Sequence, residues 1–325
     1  MFLAPEKMIL SKSKISESEL KISRTLLPNP ILMSKYFQFV LVAAYAFLTI
    51  SAAFIVVELF GMIHSHHPDL LFFPILIGWM LICLSSAYFF TDIWLLFQEV
   101  RKPIREEEQK LRRCLHLLQE KADDNTNYRL RIEEEMSFNA FSVGHHTIVV
   151  SRGLLQVLPE EELAAVMAHE LGHLTTRDCI AGMAYICATF VPRKLSFILK
   201  KGLQLLSYIA LVGVAQGIIG ILIVCFLLYY FQILHYVAGI IVFILLISGL
   251  EAAFGYLWLL NCRYTEYRQD AFAHRLGFGS ELKSVLLKIN NNKPQKVNFF
   301  YTLRSTHPII YNRIRRLEKL DGPIP

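Results

Sequence analysis

The 325-residue sequence has little charge, and its few cysteines are not paired in the way that marks a thiolate zinc site. Only 18% of its residues are charged and 54% are hydrophobic, whereas soluble proteins average about 25% charged and about 45–50% apolar residues. This composition excludes a disordered chain, a coiled coil and a collagen-like protein. The six cysteines form no CxxC pair, so we expect no cysteine zinc site. The net charge of +6 accompanies no nucleic-acid-binding motif, and nucleic acid is not expected as a partner.

Four apolar stretches are long enough to cross the hydrocarbon core of a bilayer, which takes about 20 helical residues. They cover residues 36–63, 70–97, 203–231 and 234–260. All 33 lysines and arginines lie outside these stretches and outside the short connection within each pair. The positive-inside rule therefore predicts two membrane hairpins, with every polar segment and both termini in the cytoplasm. We expect the first stretch to remain as an anchor and not to be removed as a signal peptide.

This layout divides the chain into five parts. They are a cytoplasmic N-terminal segment (1–35), a first membrane hairpin (36–97), a first cytoplasmic part (98–202), a second hairpin (203–260) and a second cytoplasmic part (261–325). Hydrophobic spacing in the first cytoplasmic part predicts helices over 105–120 and 159–175 and strands over 128–136 and 146–150. We therefore expect a mainly α-helical membrane protein with four transmembrane helices and a small α+β domain.

The last of these predicted helices carries the residues with the clearest chemistry. Residues 169–173 read His-Glu-Leu-Gly-His, the pattern HExxH. Four residues make about one helical turn, so both imidazoles project from one face and can share a metal ion. A catalytic zinc site needs a third protein ligand and an open position for water.

A pair of carboxylates after the second hairpin can supply that ligand. Glu266 and Asp270 are also four residues apart. One carboxylate can bind the metal, while the other accepts a hydrogen bond from a ligand histidine and fixes its tautomer. Such a pair taken alone is more often a solvated helix face, and it is the upstream HExxH pattern that favours a metal site.

Several segments together resemble the HtpX-like membrane metallopeptidases, a gluzincin family related to the CAAX prenyl proteases. They are Asn-Ala-Phe at 139–141, His-Glu-Leu-Gly-His at 169–173, Arg-Tyr-Thr-Glu-Tyr-Arg-Gln-Asp at 263–270, and Ser-Thr-His-Pro at 305–308 followed by Arg-Ile at 313–314. The resemblance covers about residues 101–320 and includes the four-span layout. Gln269 departs from it, because the family usually has alanine at this position, which is not a ligand.

The resemblance implies a zincin-type catalytic domain, assembled from the two cytoplasmic parts, with one Zn²⁺ per chain. It implies His169, His173 and Glu266 as the zinc ligands and Glu170 as the general base. Asp270 would be the hydrogen-bond partner of a ligand histidine.

Three further positions match residues that line the family's cleft. Asn139 and Arg313 would bind substrate, and His307 would act in catalysis by stabilising the oxyanion. Without the resemblance they would be read as a turn residue, one charge of a basic helix and a loop histidine. The strand over 146–150 is expected to present an edge on which an extended peptide substrate adds.

The predicted function is that of a zinc-dependent endopeptidase of a bacterial inner membrane. By resemblance it would act in protein quality control under stress, cleaving misfolded or damaged membrane proteins at the cytoplasmic face. Three alternatives stay open: a non-catalytic scaffold or sensor stabilised by zinc, a prenyl-protein-processing protease, and a protease acting inside the bilayer. The last is disfavoured because the HExxH helix is polar at both ends and too short to span. The sequence leaves the oligomeric state open.

Overall fold

The structure is a computed structural model that describes residues 36–59, 69–96, 99–230, 233–292 and 308–321. Its elements in chain order are α1 (Phe37–Leu59), α2 (Asp69–Leu96), β1 (Val100–Arg101), α3 (Arg105–Ala122), β2 (Arg129–Glu133), β3 (Ala140–Val143), β4 (Thr147–Ser151), α4 (Arg152–Val157), α5 (Glu160–Thr175), α6 (Asp178–Ala215), α7 (Ile218–Tyr230), α8 (Ile233–Ala273), α9 (Gly279–Asn292) and α10 (Ile310–Leu320). A π-helical turn, His274–Phe278, joins α8 to α9. The predicted N-terminal segment and His307 lie outside the described residues.

Three helices of the described residues are long and apolar enough to cross a membrane. They cover Phe37–Glu58, Asp178–Ala215 and Leu234–Asn290. The last of these ranges is a continuous helical run through α8, the π-helical turn and α9. The 28-residue helix α2 contains a shorter apolar stretch, Phe72–Ser85. The prediction of membrane-spanning helices is confirmed, but the number four is not.

The predicted third span, 203–231, is divided into two helices. Helix α6 ends at Ala215, and Gly217 adopts a left-handed φ of +83°, which stops the helix before α7 begins. The 13 residues of α7 are too few to cross a bilayer alone. Helix α6 is instead extended in the other direction and starts at Asp178, next to the HExxH helix.

Helix α8 connects the apolar bundle directly to the predicted third ligand. It is 41 residues long and contains both the predicted fourth span and the Glu266/Asp270 pair. The predicted part boundaries at residues 202 and 260 therefore fall within continuous helices. These helices run from the apolar bundle to the residues of the site.

A four-stranded sheet with the order β1-β2-β4-β3 lies beside the HExxH helix. Strand β4 pairs in parallel with β2 and in antiparallel with β3, so it is an internal strand. All five of its residues are buried, which suits a strand covered on both faces. The prediction that the strand over 146–150 offers an edge was therefore wrong. The strand on the outer side of this pairing is β3.

A hydrophobic core between the sheet and the helices fixes α5 in place. Its fully buried side chains include Leu111 and Leu118 from α3, Ile132 from β2, Ile148 from β4, and Leu163, Met167 and Leu171 from α5. Burying a large aliphatic side chain contributes about 1.5–3 kcal/mol. The core therefore holds the HExxH helix rigidly against the sheet.

Candidate metal centre

Helix α5 carries the HExxH residues and is bounded by clear helix signals. Pro159 precedes its first turn, whose three glutamates, Glu160 to Glu162, suit the positive end of the helix dipole. At the other end, the hydroxyls of Thr175 and Thr176 both donate to the carbonyl of Gly172. Arg177 then takes a left-handed φ of 61°, which turns the chain back toward the helix that it has just left.

The structure brings the three predicted zinc ligands together. His169 Nε2 lies 3.6 Å from Glu266 Oε2, and His173 Nε2 lies 3.6 Å from Glu266 Oε1. One donor atom from each residue lies within 4.8 Å of the other two. Three side chains from two helices thus face one point.

Each imidazole is oriented by an aspartate at its other nitrogen. His169 Nδ1 lies 2.9 Å from Asp270 Oδ1, and His173 Nδ1 lies 3.0 Å from Asp178 Oδ2. An Nδ1–H donated to a carboxylate leaves Nε2 unprotonated in the neutral ring, which is the form that binds a metal. The predicted role of Asp270 as the partner of a ligand histidine agrees with this geometry.

Asp178 is a site residue that sequence reasoning missed. It lies five residues after His173, and the left-handed turn at Arg177 places its carboxylate on the imidazole. The sequence contains only part of the signal: an acidic residue shortly after an HExxH helix can reach a ligand histidine, but the left-handed turn that brings it there has no sequence signal. Its carboxylate also accepts hydrogen bonds from Arg268, Gln269 and Gln38.

Carboxylates dominate the electrostatics around the histidine pair. Burial disfavours a charged His173, yet its hydrogen bonds to Asp178 and Glu266 raise its pKa to about 10. A metal binds the neutral ring, so binding at Nε2 would displace a proton from that nitrogen. Burial likewise disfavours the charge of Arg313, but the carboxylates of Asp270 and Glu266 raise the pKa of this guanidinium above its usual value.

Arg313 contacts two carboxylates of the site, the predicted ligand Glu266 and the aspartate that orients His169. Its Nε and Nη2 donate to the two oxygens of Asp270 at 2.8 and 2.6 Å, and Nη1 lies 3.1 Å from Glu266 Oε2. The side chain is only 12% exposed. The structure therefore pairs this predicted substrate-binding residue with the predicted ligand Glu266 and with Asp270, the partner of His169.

The other predicted residues differ in position. Glu170 is 7% exposed and lies on α5 between the two histidines. Asn139 precedes the outer strand β3; its side-chain amide lies 3.4 Å from Glu133 Oε2, and its backbone pairs with Ser151. Strand β3 contacts α5 and is tied to α6 by Ser142 Oγ, 3.2 Å from Cys179 Sγ.

The donor set fits a zinc ion. Zinc takes imidazole nitrogens and carboxylate oxygens at about 2.0–2.2 Å in tetrahedral geometry, which separates neighbouring donors by roughly 3.4 Å. His169 Nε2 and His173 Nε2 each lie 3.6 Å from one oxygen of Glu266, Oε2 and Oε1 respectively, and one ligand atom of each residue lies within 4.8 Å of the other two. Three protein ligands leave the fourth position of a tetrahedron for water.

Comparison with known proteins identifies the family of the chain. The profile of Peptidase family M48 matches residues 105–321, about two thirds of the chain. The chain belongs to peptidase family M48. As a member of M48 with apolar helices long enough to span a bilayer, it is a membrane metallopeptidase.

The relatives of this M48 peptidase include proteins named protease HtpX homologues. The one from Dictyoglomus turgidum is 28% identical over 280 residues, which cover 76% of this chain and 82% of the relative. The one from Pelotomaculum thermopropionicum is 33% identical over 133 residues, covering 39% of this chain and 46% of the relative. The crystal structure of S. mikatae Ste24p aligns with 93% of this chain and 65% of its own, at 17% identity and a TM-score of 0.44.

Proposed function

We propose that this M48 peptidase is a zinc-dependent endopeptidase that binds one Zn²⁺ per chain. The observation that supports this most is the convergence of His169 Nε2, His173 Nε2 and the Glu266 carboxylate, with an aspartate behind each imidazole. A structural zinc site is closed by four protein ligands, whereas three ligands and a neighbouring Glu170 favour a catalytic one.

The chain's own groups would divide the chemistry of peptide hydrolysis between them. A bound zinc supplies a water of lowered pKa and polarises the scissile carbonyl. The Glu170 carboxylate would be the general base: it would take a proton from the attacking water and give it to the leaving amine. His307, which we predict from the family resemblance to line the cleft, would donate a hydrogen bond to the oxyanion.

Arg313 has a different part in this proposal from the one that the sequence suggested. Its guanidinium forms ion pairs with both Asp270 and Glu266 and would hold these two carboxylates in position. A direct contact between Arg313 and the substrate stays a prediction.

The outer strand β3 is the proposed place for substrate backbone. It pairs with β4 on one side and contacts the HExxH helix, so an extended peptide that adds to its other side would lie next to the ligands. Asn139 at the start of this strand could hold the peptide backbone. Backbone pairing reads little side-chain information, so we expect broad substrate tolerance.

The proposed substrates are misfolded or damaged membrane proteins, cleaved at the cytoplasmic face of a bacterial inner membrane. The absence of Lys and Arg from both hairpin connections supports this orientation. The names of the HtpX relatives support a role in proteolysis. The oligomeric state is left open.

The replacement Glu170→Gln tests this proposal against a zinc-stabilised scaffold. The amide cannot accept the proton of the attacking water, and general bases contribute about 10²–10⁴-fold to rate. We expect the detergent-purified variant to keep its zinc and to lose casein cleavage by at least about 100-fold. A scaffold would cleave casein in neither form. Equal cleavage by both forms would exclude Glu170 as the base.

A further inference from the structure

The carboxylate of Asp178 is held by four side chains from different parts of the chain. His173 Nδ1 and Gln269 Nε2 lie 3.0 and 2.7 Å from Oδ2. Arg268 Nη2 and Gln38 Nε2 lie 2.6 and 2.9 Å from Oδ1. Each oxygen therefore has two donors, and the carboxylate that orients His173 has a fixed position.

Gln38 is the most distant of these donors along the chain. It is the second residue of α1, 140 positions before Asp178, and is only 2% exposed. Its side-chain oxygen Oε1 accepts from Asn261 Nδ2 of α8 at 3.5 Å. Since that oxygen faces a donor, the amide group of Gln38 turns its N–H toward Asp178.

These contacts connect a membrane-spanning helix to a metal ligand. Helix α1 packs against α6 and α8, and its residues in this interface are apolar apart from a few such as Gln38. Burying an amide without a hydrogen-bond partner costs about 1–3 kcal/mol. The docked position of α1 and the hydrogen-bond set of Asp178 therefore favour one another.

We propose that Gln38 is a positioning residue for the metal site: by donating to Asp178, the first membrane helix holds the His173 imidazole in its metal-binding orientation. This inference rests on the proposed function, because it takes His173 as a zinc ligand. It adds that the affinity of the site for metal depends on how α1 docks. Gln38 lies outside the segments that carry the family resemblance and outside the residues that the family profile matches.

The test uses the full-length protein in detergent and measures zinc affinity by competition with a chromophoric chelator. Gln38→Met keeps the length of the side chain and removes the donor, while Gln38→Asn keeps an amide but withdraws it by one methylene. Removing an outer partner of a metal ligand typically costs about 10–100-fold in affinity, the loss expected for Asp178→Ala. For both Gln38 variants, one step further from the metal, we expect a smaller loss of about 3–10-fold.

Thr49→Val is the matched control. Thr49 lies on the same helix, is 7% exposed, and has no contact with Asp178 among the described residues. We expect its zinc affinity to stay within about twofold of the parent, since distant sites act independently. Its melting temperature reports how far the loss of a buried polar group in α1 affects stability alone.

Two further measurements separate positioning from a general loss of stability. The visible absorption of the Co²⁺-substituted protein reports ligand geometry, and we expect it to change in the Gln38 variants and not in Thr49→Val. In the Asp178→Ala background, Gln38→Met should cause no additional loss of affinity, because the two residues act as one unit.

The outcomes distinguish this inference from the proposed function. If the parent protein binds zinc and cleaves casein, but the Gln38 variants match Thr49→Val in affinity and spectrum, the inference is overturned and the proposed function stands. Additive losses in the double variant would also overturn it. If the parent protein binds no zinc, the proposed function fails as well.

Discussion

The two halves of the proposed metal centre orient their histidines in the same way, each through an aspartate, but the two aspartates are held differently. On one side, Asp270 orients His169 and is gripped at both oxygens by Arg313 of α10. On the other side, Asp178 orients His173 and receives donors from α1 and from two residues of α8. The first half relies on one guanidinium, and the second shares its support among three side chains.

This difference predicts how each half responds to the loss of a side chain that donates to its aspartate. A buried carboxylate that loses one of several donors keeps most of its stabilisation, whereas a carboxylate that loses a bidentate arginine becomes a poorly compensated buried charge. The His169 half should therefore be sensitive to the C-terminal helix, and the His173 half to the packing of the membrane helices.

Replacing each arginine tests this comparison and should give the largest effect. We expect Arg313→Met to lower the free energy of unfolding by about 3–5 kcal/mol, because it leaves the buried Asp270 without its partner. Arg268→Met should cost clearly less, since Gln38 and Gln269 still donate to Asp178. Thermal melting and zinc affinity of the two detergent-purified variants are the measurements.

Equal losses in the two variants would mean that the two aspartates do not differ in their support. A larger loss for Arg268→Met would reverse the comparison. The mild replacement Arg313→Lys retains a charge but not the bidentate geometry, so it should fall between the parent and Arg313→Met.

A smaller effect is expected at the contact between Gly172 and Gln269. A Cβ added at Gly172 would lie 2.5 Å from Gln269 Oε1, and Gln269 cannot move away easily because it donates to both Thr176 and Asp178. We expect Gly172→Ala to destabilise the protein by about 1–3 kcal/mol and to weaken zinc binding.

The double variant Gly172→Ala/Gln269→Ala should recover part of that stability, because the closest obstructing side chain is gone while Phe272 Cδ1, 3.2 Å from the added Cβ, remains. Gly182→Ala is the control, since nothing lies within 4 Å of a Cβ at this position; its effect should stay within about 1 kcal/mol. A Gly172→Ala protein as stable as this control would show that Gln269 is not held by the His173 half.

The parts of the site that repeat at helical spacing could be predicted from the sequence. His169 and His173 are four residues apart, as are Glu266 and Asp270, and a regular helix fixes which residues share a face. The strand over 146–150 was recognisable from its β-branched residues. Its place inside the sheet was not, because that depends on parallel pairing with β2, a non-local contact.

The remaining support of the site depends on tertiary structure. Asp178 reaches His173 through a left-handed turn at Arg177, a residue type that gives no signal for such a conformation. Gln38 reaches Asp178 across 140 residues, through the packing of three helices. The division of the predicted third span follows from Gly217, which hydropathy alone passes over.

The convergence of His169, His173 and Glu266 on one zinc ion is tested most directly by zinc analysis combined with X-ray absorption spectroscopy of the detergent-purified protein. We predict one zinc per chain, with nitrogen and oxygen neighbours at about 2.0–2.2 Å, no sulfur neighbour at about 2.3 Å, and loss of the ion in Glu266→Ala. A protein without zinc, a sulfur ligand, or a Glu266→Ala variant with unchanged zinc content and spectrum would contradict it.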